Sequence, residues 1–417
     1  MNKVFAFDSW MQYAHHFQGL AEVLYQNDFE LYLLHIGSWG HDPNRSKEEK
    51  LGKLTIRDIT FYDGLSFYEI LKSEKPIAVI FLSMQPFAHR AFNRYCVALD
   101  IPTLHMYHGV VSVQDEGMKF DLDLKSHMQL AISRINKNVT RIWPTYIRSL
   151  IFTKASLVDW FWFIKTIAKQ LVAKSYSGGA PPDAKTNVCS VYTEADVNHA
   201  VHRYGLEPSN VIPVGNPDLY FFGVENSDIG LFTKSIPESG DVLYIDSAFI
   251  DYGMVYSGAA GFVDHLVSTK VALKRQGYNL IVKLHPAHFR TGVYELLDQE
   301  GFEIVDKESF MIKLRTCCAC IVEPSSLALI PALMALPLYI AQYGPLVNQA
   351  YGKVLITYPR TVHLKDLSLF SVMQNKILQS LNETELNKWI EFNVGPLPSN
   401  KISERLVAII KSLNGKH

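Results

Sequence analysis

The sequence predicts an α/β protein built from two Rossmann-like domains facing each other across a cleft, and three observations lead there. The first is length: 417 residues exceed what one ordinary core supports and suit two or three domains of roughly 100–200 residues. The second is alternation, because short apolar runs and amphipathic segments take turns along the chain as they do in βαβ units. The third is that runs such as Leu280-Ile281-Val282 and Cys320-Ile321-Val322 are apolar throughout. A strand buried on both faces of a parallel sheet requires that pattern.

In chain order, the first domain (1–225) opens on a strand over 4–7, followed by a helix over 13–27 and a strand over 30–36. A strand over 77–82 leads to a helix over 87–99, and a strand over 103–107 ends in His108-Gly109. Strands over 188–192 and 211–214 flank a helix over 194–204, and Gly215-Asn216-Pro217 closes the unit. An insertion of different character occupies about 143–182. Between Trp143 and Lys174, aromatic and aliphatic residues are interspersed with Arg148, Lys154, Lys165, Lys169 and Lys174. That composition suits a helix lying in a membrane interface, and equally one packed on the body of the protein or at a dimer contact. Charge interrupts it too often for a bilayer span.

A Ser-, Gly- and Pro-containing linker at 225–241 precedes the second domain (241–417). There a strand over 241–246 and a helix over 259–276 lead to a strand from 279 that stops at Lys283-Leu284-His285-Pro286. A helix over 293–299, strands over 319–323 and 338–341, and helices over 370–381, 383–392 and 402–413 complete the chain.

Composition narrows the function. Hydrophobic content of 48% with 19% charged residues marks a globular chain, and a net charge of -1 leaves no electrostatic footprint for nucleic acid. The N-terminus reads as a strand without a secretory apolar core, so a cytoplasmic protein is expected. Five cysteines include Cys317-Cys318-Ala319-Cys320, but no Cys or His partner follows at finger-type spacing. Reduced thiols, no metal and no cofactor are the expectation. No Walker sequence or GxGxxG follows a strand, so neither an NTPase nor a dinucleotide oxidoreductase has support.

The residues that could carry chemistry stand where strands end. Pro286 removes a ladder donor and turns His285 away from helical angles, which places the imidazole at a site mouth or leaves it capping a carbonyl. Lys283 lies beside it. Ser325 or Ser326, after a buried strand and before the apolar run 327–333, would cap a helix whose free N–H groups suit a phosphate, or would simply cap it. Ser247 follows the first strand of the second domain at a place suited to donor phosphates or to an ordinary turn. Asp115-Glu116-Gly117, after the strand over 103–107, offers either a base in the cleft or a solvated turn.

Together, Asp115-Glu116-Gly117, Lys283-Leu284-His285-Pro286 and Ser325-Ser326 resemble the three-motif pattern of bacterial sialyltransferases and polysialyltransferases. Related enzymes transfer Kdo or other nonulosonic acids from CMP donors. The resemblance implies a GT-B fold and metal-independent, inverting transfer from a CMP-sugar to a glycan or glycolipid acceptor. It also implies Asp115 or Glu116 as general base, His285 as general acid or phosphate ligand, and Ser325 with Ser326 on the CMP phosphate; Pro286 belongs to the same motif. The chain is also similar to CDP-glycerol glycerophosphotransferases of teichoic-acid synthesis through His108-Gly109 and Lys283-Leu284-His285-Pro286, which implies His108 as base. A non-catalytic sugar-nucleotide-binding protein of a glycan assembly complex and a sugar-phosphate epimerase are the remaining options. The 143–174 stretch would bring a transferase to the inner face of the bacterial inner membrane.

Overall fold

The apolar runs become the central strands of two sheets. The computed structural model describes residues 1–8, 14–39, 46–107, 138–172, 181–237, 240–247, 255–286, 288, 292–341, 354–364, 367–379 and 382–414. They form two units, Met1–Val214 with Asn400–His417, and Gly215–Ser399.

In the first unit the strands are β1 (Asn2–Asp8), β2 (Phe29–His35), β3 (Glu48–Leu51), β4 (Leu54–Asp58), β5 (Ala78–Phe81), β6 (Thr103–Met106), β7 (Val188–Val191) and β8 (Val211–Pro213). Their order is β3-β4-β2-β1-β5-β6-β7-β8. All neighbours run parallel except β3, which joins β4 antiparallel through a turn where Gly52 takes φ 61°. Helices cover both faces. On one, Phe92 of the helix Phe87–Ala98, Tyr146 of Trp143–Phe152 and Phe163 of Leu157–Val172 share a core with Phe5, Phe7 and Phe81. On the other, Phe17, Leu20 and Leu24 of the helix Ala14–Gln26 pack with Val4, Ala6 and Leu33.

The expected boundaries shift at both ends of the second domain. The helix Ile402–Asn414, expected there, packs on the first unit, because its buried stripe of Leu406, Val407, Ile410 and Leu413 completes the core around Phe17. Arg405 Nη1 donates to Val214 O at 2.8 Å, and Lys411 Nζ to Asn27 Oδ1 at 2.7 Å. The stretch expected as a linker belongs to the second unit instead. Gly230 N–H and Phe232 N–H donate to Leu333 O and Met334 O, each at 2.9 Å. Arg315 clasps buried Asp228 through Nε and Nη2 at 2.8 and 2.9 Å.

The second unit holds β9 (Asp241–Ile245), β10 (Asn279–Lys283), β11 (Glu303–Ile304), β12 (Cys317–Val322), β13 (Leu338–Ala341) and β14 (Thr361–Leu364), ordered β11-β10-β9-β12-β13-β14 and wholly parallel. Counted within the unit this is the doubly wound order 3-2-1-4-5-6, which reverses between β9 and β12. Cys317, Cys318 and Cys320 are free and buried in β12.

Candidate functional site

In a doubly wound sheet, ligands bind outside the carboxyl ends of the strands, at the point where the strand order reverses. The exits of β9, β10 and β12 occupy that place in Gly215–Ser399, and they are tied to one another. Asp246, directly after β9, accepts the His285 N–H on Oδ2 at 2.9 Å, and the same oxygen lies 2.8 Å from His288 Nε2. Ser247 N–H donates to Glu323 Oε2 at 2.8 Å, and Ser247 Oγ to Pro324 O at 2.9 Å. Thus Ser247, Lys283, His285, Pro286, Ser325 and Ser326, singled out on separate stretches of chain, follow adjacent strands to one sheet edge.

Local sequence explains their poses. Leu284 is buried and anchors the exit of β10, whereas His285 and Pro286 are exposed. Three residues further on, the His288 ring is buried and stacks on Phe262 with centroids 5.7 Å apart. Lys283 is half-buried, which pulls its ammonium below the ordinary lysine value against the opposing pull of Asp306 and Glu308. Ser325 Oγ accepts Leu327 N–H at 3.2 Å and so caps the turn that begins at Ser326.

The capped segment is shorter than the apolar run 327–333 suggested. A 3-10 turn, Ser326–Ala328, leads into a helix of only Leu329–Leu333, bounded by Ala335 at φ 68°. Little macrodipole accumulates over so few peptides, so hydroxyls and N–H groups are the anion-attracting features here. Ser326 also reaches Asp218 on the helix Pro217–Phe221; burial raises that carboxyl, and the Ser326 hydroxyl partly offsets the rise.

Beneath the exits lies a carboxylate pair. Glu323 is fully buried and accepts three hydrogen bonds, from Ser247 N–H, from Tyr244 Oη at 2.9 Å and from Tyr256 Oη at 2.8 Å. Burial, and then the neighbouring Asp246 carboxylate, push Glu323 up to about 8 despite these donors. His265, beside both tyrosine rings with centroids 6.0 and 5.6 Å away, is lowered by burial. At neutral pH Glu323 therefore holds a proton for much of the time.

Asp246, His288 and Glu323 were not among the residues the sequence singled out for a role. Their signal was position, since Asp246 and Glu323 are the first residues after apolar strands and His288 follows the His-Pro by three. His108, Asp115 and Glu116 lie outside the described residues. In the first unit, buried His89 places Nε2 3.8 Å from Oδ2 of Asp8, the last residue of β1.

No family model matches the chain, and no curated protein matches it. Solved structures do. The wall teichoic acid polymerase TagF, in a structure with CDPG, is similar at a TM-score of 0.51 and 10% identity, over 100% of this chain and 89% of that one. A UDP-GlcNAc 2-epimerase from Methanocaldococcus jannaschii gives 0.43 at 13% identity over 99% and 100% of the two chains. MnaA of S. aureus, in a structure with UDP, gives 0.46 at 11%, covering 99% and 96%. The TagF likeness shows the fold. The chain is an α/β protein of the GT-B type, with two Rossmann-like units, as its sequence led us to expect.

Proposed function

We propose that this chain is a glycosyltransferase that binds a nucleotide-activated donor on the Gly215–Ser399 unit. The donor we favour is a CMP-linked nonulosonic acid (sialic, pseudaminic, legionaminic or Kdo), transferred with inversion and without a metal to a hydroxyl of a surface glycan or glycolipid. One observation carries the reading: the exits of β9, β10 and β12 converge, joining the His-Pro and Ser-Ser stretches through Asp246 and Ser247.

In this reaction the acceptor oxygen attacks the anomeric carbon while its proton passes to Asp115 or Glu116. The bond from that carbon to the phosphate oxygen breaks, and its electron pair leaves on CMP. His285, Ser325 and Ser326 stabilise the charge that develops on the phosphate, with Lys283 nearby and Ser247 holding the loop. A single displacement inverts the centre. The enzyme would work in the cytoplasm, peripheral to the inner face of the inner membrane.

A second reading, CDP-glycerol-type glycerophosphate transfer with His108 as base, draws support from the full-length likeness to TagF, whose structure carries CDPG. A thermal-shift titration with CMP, CDP and UDP, with and without EDTA, separates the two. At about a hundred times Kd, binding to the folded state adds about 2.7 kcal/mol. The expected result is a CMP shift that survives EDTA and disappears in His285→Ala and in Ser325→Ala/Ser326→Ala. A preference for CDP moves the assignment to glycerophosphate transfer, and a response to UDP alone overturns both.

A further inference from the structure

The helix Leu157–Val172 is apolar on two sides, and only one is covered. Trp160, Phe163 and Ile167 face the core of the first unit, with the Phe163 ring 5.3 Å from Phe87 and 5.2 Å from Tyr146 between centroids. On a neighbouring stripe Leu157 is 88% exposed, Ile164 63% and Phe161 61%, with exposed Val158 beside them. The preceding helix ends in a tight turn, where Lys154 N–H donates to Ile151 O and Ala155 N–H to Leu150 O, so exposed Ile151 joins the same tip. Exposed apolar side chains are ordinary when scattered singly; gathered on one tip they mark an interaction surface.

Charge says what the surface meets. Residues 138–172 contain five basic side chains, Arg141, Arg148, Lys154, Lys165 and Lys169, against a single acid in a chain whose net charge is -1. That acid, Asp159, is already engaged by Arg94 Nη1 at 3.2 Å and by the Ser156 hydroxyl at 2.8 Å. Arg148 and Lys154 are exposed, and Lys165 lays its ammonium 4.3 Å from the centroid of the Trp162 ring. A second copy docking isologously would set this basic patch against itself. A phospholipid surface carrying anionic headgroups complements both features, and among the described residues no helix is long and apolar enough to cross a bilayer.

We infer that the tip formed by Ile151, Leu157, Val158, Phe161 and Ile164 docks onto an anionic membrane surface, the apolar side chains entering the acyl boundary while Arg148 and Lys154 meet headgroup phosphates. This gives the peripheral placement proposed above its docking residues and does not rest on the donor site, since no residue of the tip belongs to Gly215–Ser399.

The test is sedimentation of the full chain with phosphatidylcholine vesicles, with and without phosphatidylglycerol, at about 0.1 and about 0.5 M salt. The expected result is binding that needs the anionic lipid and weakens with salt. Leu157→Ser/Phe161→Ser/Ile164→Ser should lower vesicle partitioning by about tenfold or more while leaving the melting temperature and any CMP shift intact. Should that triple variant fold poorly, Phe161→Gln alone still reports the loss. Arg148→Gln/Lys154→Gln should remove the salt dependence. Equal binding to neutral vesicles, no vesicle binding at all, or an unchanged triple variant would overturn the inference. A wild-type dimer that the triple variant dissolves would overturn it too, assigning the face to a protein contact.

Discussion

Each unit buries a polar cluster, and the two clusters are charged in opposite styles. In the first unit Arg90, fully buried, donates from Nε to Asp183 Oδ1 at 2.7 Å and from Nη2 to Tyr146 Oη at 2.6 Å, while Tyr146 Oη donates to Asp183 Oδ2. Asn93 Nδ2 adds bonds to the carbonyls of Asp183 and Lys185, and Arg94 Nη1 stands 3.6 Å from Asp183 Oδ2. There the anion meets cations, and three separate segments are fastened together. In the second unit two carboxylates, Asp246 and Glu323, leave adjacent strands side by side, with the His288 ring 2.8 Å from Asp246 and no cation against Glu323 among the described residues. Among the described residues Glu323 receives only neutral donors, and it is pushed up to about 8. A cluster that exists only to hold the chain has no reason to place two acids together. Such frustration at the reversal of a parallel sheet is what a binding site there would produce, and it supports the donor site proposed above.

The largest expected effect sharpens the first half of this comparison. Asp183→Ala strands a buried guanidinium and should cost about 3–5 kcal/mol of unfolding free energy, read from urea denaturation with an unchanged slope. Arg90→Met/Asp183→Leu, which removes both charges, should recover most of the loss. A cost under about 1 kcal/mol for the single variant would mean that the pair fastens nothing.

Next in size is Glu323→Gln. A carboxyl whose folded pKa stands at about 8, above its ordinary 4.5, holds its proton more tightly when folded. Its contribution is therefore complete below about 4.5 and is lost as pH rises toward about 8, the reverse of a salt-bridged carboxylate. The Gln side chain can turn its amide toward the tyrosine hydroxyls and its oxygen toward Ser247 N–H. The variant should gain on the parent by up to about 3 kcal/mol between pH about 6 and about 9, at about 1.4 kcal/mol per pH unit. Parallel stability–pH curves for the two proteins would remove the electrostatic contrast between the clusters.

Much of this was legible along the chain. Cys317–Val322 reads as a buried strand despite its three cysteines because nothing in it is polar enough to face water, and the His285-Pro286 break marks a strand end by steric rule. The hairpin of β3 and β4 was not legible: Glu48-Glu49-Lys50 is an edge strand whose charges hide any apolar alternation. The helix Ile402–Asn414 announces an apolar stripe but cannot say which core receives it. The Asp246–Glu323 pair was hidden for a similar reason. The two residues are neighbours only because β9 and β12 pair, and strand order is a property of the whole sheet.

The smallest expected effect is the most discriminating. Tyr256 is half-buried and donates to Glu323 Oε1 at 2.8 Å, with its hydroxyl 3.1 Å from that of Tyr244. Tyr256→Phe removes one hydrogen bond and should cost about 1 kcal/mol. Were Glu323 a purely structural acceptor, that loss would be the same at every pH. The Tyr256 hydroxyl, however, pulls the Glu323 carboxyl down against burial and Asp246, so its removal lets the pKa climb further. The upper end of the pH window over which the protein loses stability should then move upward in Tyr256→Phe. In the Glu323→Gln background the same substitution should leave the pH dependence untouched. An upward shift that persists in that background would mean that Glu323 is not the titrating group. The frustration of the second cluster would then belong to a residue other than Glu323.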